Sequence, residues 1–199
     1  MRRRAASRII VALSVAVAAP AHAHLVETGF GAFYDGIVHL AVTPQDLLVV
    51  VALALLAGQR GARAARYALF ALPVAWLLGG LIGARWPSAA VVPLLTTLSF
   101  ALAGALVALD AKLRDVGVAA LAIVAGLLHG LVNGATLPAD VGRLALGGAI
   151  CAIFFLTAIL SAEVTALPGG WPRIVVRVAG SWIAATGLLM LGWLARPAP

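Results

Sequence analysis

Six apolar stretches separated by short polar turns dominate the chain from Asp46 to Leu194, at about 46–58, 67–84, 89–109, 116–135, 143–162 and 174–194. A helix needs about 20 mainly apolar residues to cross the hydrocarbon layer, and these runs reach or approach that length. They predict an all-α polytopic membrane helix bundle with six transmembrane helices, forming a single integral membrane domain over residues 24–199. Composition agrees: 63% of residues are hydrophobic and 11% charged, whereas soluble domains carry about 25% charged residues.

The first 23 residues have the layout of a cleavable signal peptide. Arg2, Arg3, Arg4 and Arg8 form a basic start, Ile9 to Ala19 an apolar core of about 11 residues, too short to span, and Ala21-His22-Ala23 a small-x-small cleavage site. Such a signal places the mature N-terminus, His24, in the periplasm and the domain in a bacterial inner membrane. The remaining basic residues fit that direction. Arg60, Arg63, Arg66, Lys112, Arg114, Arg173 and Arg177 fall on the predicted cytoplasmic side, against Arg85, Arg143 and Arg196 outside. The formal charge of +7 is therefore an orientation signal, and no nucleic-acid partner is expected. Cys151, the one cysteine, stands in an apolar run, so neither an internal disulfide nor a cysteine metal cluster can form.

Inside the spans, Gly126, Gly130 and Gly134 recur every fourth residue and give one helix a face without side chains, on which a neighbouring backbone can rest. Gly79, Gly80 and Gly83 cluster in the second span, and Pro73 and Pro93 lie in the second and third.

Chemistry gathers at fewer places. The stretch Phe33 to Gln59 runs from polar residues into the first span, with His39 before it and Asp46 at its mouth. Ionisable groups at membrane depth are expensive and so are candidates for function. Thr43-Pro44-Gln45-Asp46 also reads as a helix start, with Thr43 as N-cap, Pro44 at the first helical position and Asp46 complementing the helix dipole. In the fourth span His129 and Asn133 are four residues apart and share a face, spacing that lets two side chains hold one ion or one interhelical hydrogen bond. Topology brings His39, Asp46, His129 and Asn133 to the outer half of the bundle. His24, at the new N-terminus, could chelate copper or nickel through its amine and imidazole.

The signal peptide, the G-x-x-H before the first span, the run LLVVVALALLAGQ and the segment HGLVNGATLP together resemble the HupE/UreJ family of small nickel permeases, over essentially the whole mature chain. The first family motif is H-x5-D-H followed by an apolar run ending in Gln; His39 and Gln59 match its ends. The second is H-G-x-x-H-G-x-E-L-P, matched by His129, Gly130, Gly134, Leu137 and Pro138. Four positions depart: Gln45 replaces the Asp, Asp46 the second His, Asn133 a His and Thr136 the Glu. The resemblance implies a permease for a divalent transition metal, nickel first with cobalt or copper behind, with no permanently bound cofactor. His39, Asp46 and His129 are then the metal ligands, and Gln45, Asn133, Thr136 and His24 the supporting or relay groups. Amide and hydroxyl replacements bind such metals more weakly than imidazole and carboxylate. The implied partners are the bilayer, the metal ion, and metalloenzyme-maturation or periplasmic metal-binding proteins.

Two other classes compete. The departures suit a non-transporting assembly or metal-delivery subunit with a degenerate site. A serine–histidine hydrolase built on Ser99 and His129 is conceivable, but Leu98 and Phe100 flank Ser99 and no G-x-S-x-G elbow surrounds it. The expectation is that the protein is not an enzyme.

Overall fold

The computed structural model describes residues 28–85, 93–136 and 142–196. The predicted signal peptide and His24 lie outside that range, as do Leu137 and Pro138. Seven α-helices make up the described fold: α1 Ala32–Val42, α2 Pro44–Arg60, α3 Ala62–Gly83, α4 Pro93–Ala108, α5 Asp115–Thr136, α6 Gly142–Ala166 and α7 Trp171–Leu194.

Helices α3, α5, α6 and α7 are long and apolar enough to cross a membrane, and α1 with α2 makes a fifth if the pair counts as one broken span. The expectation of six spans is thus met only in part. Helix α4, described from Pro93, is apolar but 16 residues long. The helix α1, ahead of the first predicted span, is the element that hydropathy did not assign. Pro44 has no N–H to donate and disfavours helical geometry at the residue before it. Accordingly Thr43 is extended (φ −97°, ψ 96°), and the axis turns by 78°. Thr43 is the N-cap and Pro44 opens α2, but no side chain caps this end. Pro73, by contrast, is carried inside an unbroken α3.

Helix α2 is the axis of the bundle. It touches all six other helices, and Val49, Val50 and the run Ala52–Gln59 are buried. The main core forms around it from Leu53, Leu72, Trp76, Phe100, Val118 and Ile153. The outer helix faces remain apolar and exposed, as at Phe70, Val124, Phe155, Trp182 and Leu189. In water that surface would aggregate; against lipid it is the required one.

The closest packing joins α3 and α5, which run parallel. A Cβ on Gly126, Gly130 or Gly134 would stand 2.7, 2.1 or 2.0 Å from the carbonyl oxygens of Leu72, Trp76 and Gly80. From the other side, a Cβ on Gly79 or Gly83 would meet the carbonyls of Leu127 and Leu131 at 2.4 and 2.0 Å. Each helix thus rests on the other's backbone, which dispersion favours where no hydrophobic force separates helix from lipid.

One end of the bundle is tied by charge. Asp110, in the turn after α4, accepts from Arg60 of α2 and, at 2.6 Å, from Lys112. Arg63 of α3 lies 3.3 Å from Asp115 of α5, and Arg177 of α7 donates to the carbonyl of Ala108 at 2.9 Å. Asp110 adopts a left-handed backbone (φ 48°) that Asp and Asn tolerate better than most residues. Burial pushes its carboxyl up, but the hydrogen bond from Lys112 and the charges of Arg60, Lys112 and Arg173 outweigh that and hold it below the ordinary carboxylate range.

Two predictions follow from packing and from charge. Gly134→Ala should destabilise the protein by about 1–3 kcal/mol through overpacking. Gly147→Ala, whose Cβ meets nothing within 4 Å, should be neutral or slightly stabilising, because alanine is the better helix former. Thermal unfolding in one detergent compares them, and equal melting temperatures would refute the close contact. Because the folded carboxyl of Asp110 is depressed, its stabilisation is complete above the unfolded value of about 3.9 and fades as pH falls through the lower folded value. Asp110→Asn should therefore trail the wild type by a constant margin from about pH 8 to 5, and the gap should close below about pH 4.

Candidate metal site in the bundle core

Three helices bring their polar groups to one point beside the core. Asp46 stands in the first turn of α2, His129 and Asn133 one turn apart on α5, and Ser99 in the middle of α4. His129 is wholly buried; Asp46 and Asn133 are nearly so. Nδ1 of His129 lies 2.7 Å from Oδ1 of Asp46, and Nδ2 of Asn133 donates to Oδ2 at 2.8 Å. Both carboxylate oxygens are thus engaged, as a buried carboxylate requires. Asn133 also donates to the carbonyl of His129 at 3.0 Å, which holds its amide upright along α5.

The other ring nitrogen of His129 meets α4. Nε2 lies 2.8 Å from Oγ of Ser99, which in turn donates to the carbonyl of Thr96 at 2.7 Å. Serine has one hydrogen to give, so both contacts hold at once only when Nε2 carries its own hydrogen and donates to Oγ. The indole of Trp76 covers the imidazole, ring centres 5.4 Å apart and planes 33° apart. Trp76 occupies that place because its backbone sits on Gly130, the residue after His129. The spacing of Gly126, Gly130 and Gly134 therefore determines how His129 is roofed.

A second contact runs alongside. Thr96 donates to Oε1 of Gln45 at 2.9 Å, with the carbonyl of Pro93 as an alternative acceptor at 3.1 Å. Gln45 is half-buried and one residue from Asp46, so α2 and α4 are joined both at Gln45 and through the histidine.

The remaining candidates lie apart from this cluster. His39 is half-buried in the last turn of α1; its carbonyl accepts the Thr43 N–H that closes the bend, and its ring has no partner among the described residues. Thr136 is exposed at the end of α5, its hydroxyl turned to the carbonyls of Val132 and Asn133. Gln59, at the far end of α2, donates to the carbonyl of Val107 at 3.1 Å. Among the described residues no three His, Cys, Asp or Glu side chains gather around one point. The facial set His39, Asp46 and His129 is therefore not assembled in this conformation: α1 turns away at Thr43 and leaves the carboxylate and one imidazole together. Asp46 stands in the first turn of α2, where an acid complements the helix dipole as expected, and its carboxylate also reaches across to α5.

Sequence reasoning did not place Ser99, Thr96 or Trp76 at the site. Ser99 had been paired with His129 only as a hydrolytic dyad, and Asp46–His129–Ser99 does have the order of a charge-relay chain. Its hydroxyl hydrogen is directed into its own helix, however, and no strained turn presents the oxygen to a substrate. The donors available to a cation are instead one carboxylate, one imidazole, two amides and two hydroxyls, a mixed oxygen and nitrogen set of the kind that binds divalent metals weakly.

No curated protein and no solved structure matches the chain. One family model, described as HupE / UreJ protein, matches residues 11–190. With nearly the whole chain matched and an apolar helix bundle around a buried polar site, this multi-pass membrane protein belongs to the HupE/UreJ family, a family of membrane transporters and not of enzymes.

Proposed function

We propose that the protein is a secondary-type permease for a divalent transition metal, nickel first and cobalt or copper behind, whose path passes the Asp46–His129 pair. The family is generally associated with nickel or cobalt transport or with urease maturation. The observation that carries the reading is the pair itself: a carboxylate and an imidazole 2.7 Å apart in the interior of an apolar bundle. Packing alone would be served by apolar side chains at lower cost. In this reading α4 belongs to a sixth crossing. The mature N-terminus lies in the periplasm of a bacterial inner membrane, and His39 collects the ion ahead of Asp46. Asn133 and Gln45 hold the carboxylate and its neighbour in place; Ser99 fixes which nitrogen of His129 faces Asp46.

A cation has to exchange with hydrogen bonds already made, because both ring nitrogens and both carboxylate oxygens are engaged. Hydrogen bonds to a charged group contribute about 1.5–3 kcal/mol net each, and their loss offsets part of the ion's binding energy, which favours release.

The absence of a three-ligand cluster among the described residues favours one second reading, a non-transporting assembly or metal-delivery subunit with a degenerate site.

Metal accumulation in cells separates the two. Asp46→Asn and His129→Gln should each lower nickel or cobalt uptake by about tenfold or more, and His39→Ala should lower it less, with equal amounts of folded protein in the membrane. Uptake unchanged in all three variants for every metal tested would refute the permease. Retention of a co-purifying protein partner together with no measurable metal affinity would establish the second reading. On stability, His129→Ala strands a buried carboxylate and should cost about 3–5 kcal/mol. Adding Asp46→Leu to it should restore part of that loss, as measured by unfolding in detergent.

A further inference from the structure

Away from the core site, a groove of about 350 Å3 opens on the outer surface between α3 and α6, near the end of the bundle held by Asp110. Its walls are Ala62, Ala65 and Leu69 from α3 and Ala158, Ala162 and Ala166 from α6. Alanines on both sides make the slot, since larger side chains at these positions would close it. At its floor Thr165 turns its hydroxyl to the carbonyl of Ser161 at 2.7 Å, and α2 comes up against the same turn through Gly58. The groove is apolar along its length and open to the surface that faces lipid.

At its mouth stands Arg66, exposed and on the groove wall. The neighbouring cations are spoken for: Arg60 is bound to Asp110, and Arg63 lies beside Asp115 and donates to Tyr67. Arg66 has no carboxylate and no hydrogen-bond acceptor among the described residues. Glu163, on α6, is exposed but not within ion-pair distance.

We propose that this groove is a binding site for an anionic phospholipid, with the headgroup phosphate on the Arg66 guanidinium and the upper part of one acyl chain between α3 and α6. Charge complementarity selects this occupant. The surrounding bundle end carries Arg60, Arg63, Lys112, Arg173 and Arg177 against Asp110, Asp115 and Glu163, so its field still favours an anion. Guanidinium matches phosphate in two-pronged geometry, and basic pockets between spanning helices are a recurring way of holding acidic lipid headgroups. A peptide helix would need a longer apolar face than this slot offers, and a soluble anion would leave the alanine walls bare. None of its lining residues belongs to the Asp46–His129 cluster, so it stands whether or not the chain carries metal.

Native mass spectrometry of the purified full chain in mild detergent, titrated with dioleoylphosphatidylglycerol and separately with dioleoylphosphatidylcholine, tests the proposal. One copy of the anionic lipid should bind in preference to the zwitterionic one by about fivefold, the effect of one arginine at a membrane surface. Arg66→Gln, a change on an exposed side chain, should abolish that preference and leave weak binding of both lipids. Ala162→Phe should fill the groove and remove the one-copy binding of both. Equal binding of the two lipids by the wild type, or an undiminished preference in Arg66→Gln, would overturn the proposal. Should Ala162→Phe not fold, the Arg66→Gln comparison alone decides.

Discussion

Contact between two helix backbones sets the geometry on which the rest depends. Helices α3 and α5 approach so closely because five glycines alternate across their interface, and a methyl group at Gly83 or Gly134 would stand about 2 Å from a carbonyl oxygen opposite. In lipid, apolar side chains gain little by leaving one hydrocarbon for another, so dispersion between matched surfaces has to hold helices together. The glycines do more than allow approach. Gly130 seats Trp76, and Trp76 roofs His129. Residues adjacent in α5 thus divide two tasks, since Gly130 and Gly134 build the interface while His129 and Asn133 face the other way, towards Asp46.

The polar chemistry then rests on α2. A helix that touches every other one has no lipid-facing side to which a carboxylate could escape, so Asp46 must find its partners inside. It finds them on α5, and His129 in turn finds Ser99 on α4. The pairing is net neutral when each contact of the ring holds one hydrogen, the arrangement that burial in a low dielectric favours. Three helices are locked by four short hydrogen bonds, and removing Asp46, His129, Asn133 or Ser99 leaves a buried polar group unpaired. That fragility is what distinguishes the cluster from ordinary core packing, where a lost methylene leaves only a small cavity.

Much of this could be read in the sequence, and the failures have physical reasons. Hydropathy located α3, α5, α6 and α7 to within a few residues, because a helix in lipid must be apolar over its full length. It left out α1, whose residues were read as a polar lead-in to the first span, and the 78° turn between α1 and α2 rests on one extended residue, Thr43, forced by the proline that follows. The proline had been read as a helix start without the helix before it. The four-residue spacing of His129 and Asn133 marked one face, and the mouth of α2 marked Asp46. That these meet, 83 residues apart, depends on crossing geometry that no local pattern encodes. His39 drew attention for its chemistry, but its helix turns away. Ser99 drew attention for the wrong chemistry; its neighbours carry no sign that its oxygen faces an imidazole.

The two ends of the bundle are held by different forces, and this bears on how a path could open. At the Asp110 end, ion pairs and the Gln59 and Arg177 bonds to α4 carbonyls tie α2, α4 and α7 together. Beside Asp46, the hydrogen bonds among the described residues that join α4 to α2 and α5 come from Thr96 and Ser99, two hydroxyls whose alternatives, the carbonyls of Pro93 and Thr96, lie within their own helix. Losing the interhelical partner therefore strands neither hydroxyl. The carboxylate and imidazole have no such local alternative: under the proposed function, Asp46 and His129 keep each other or take up a cation. For the proposed permease, the cheapest rearrangement that exposes the pair is thus a shift of α4 with its far end fixed, while the glycine-packed α3–α5 pair keeps His129 in place.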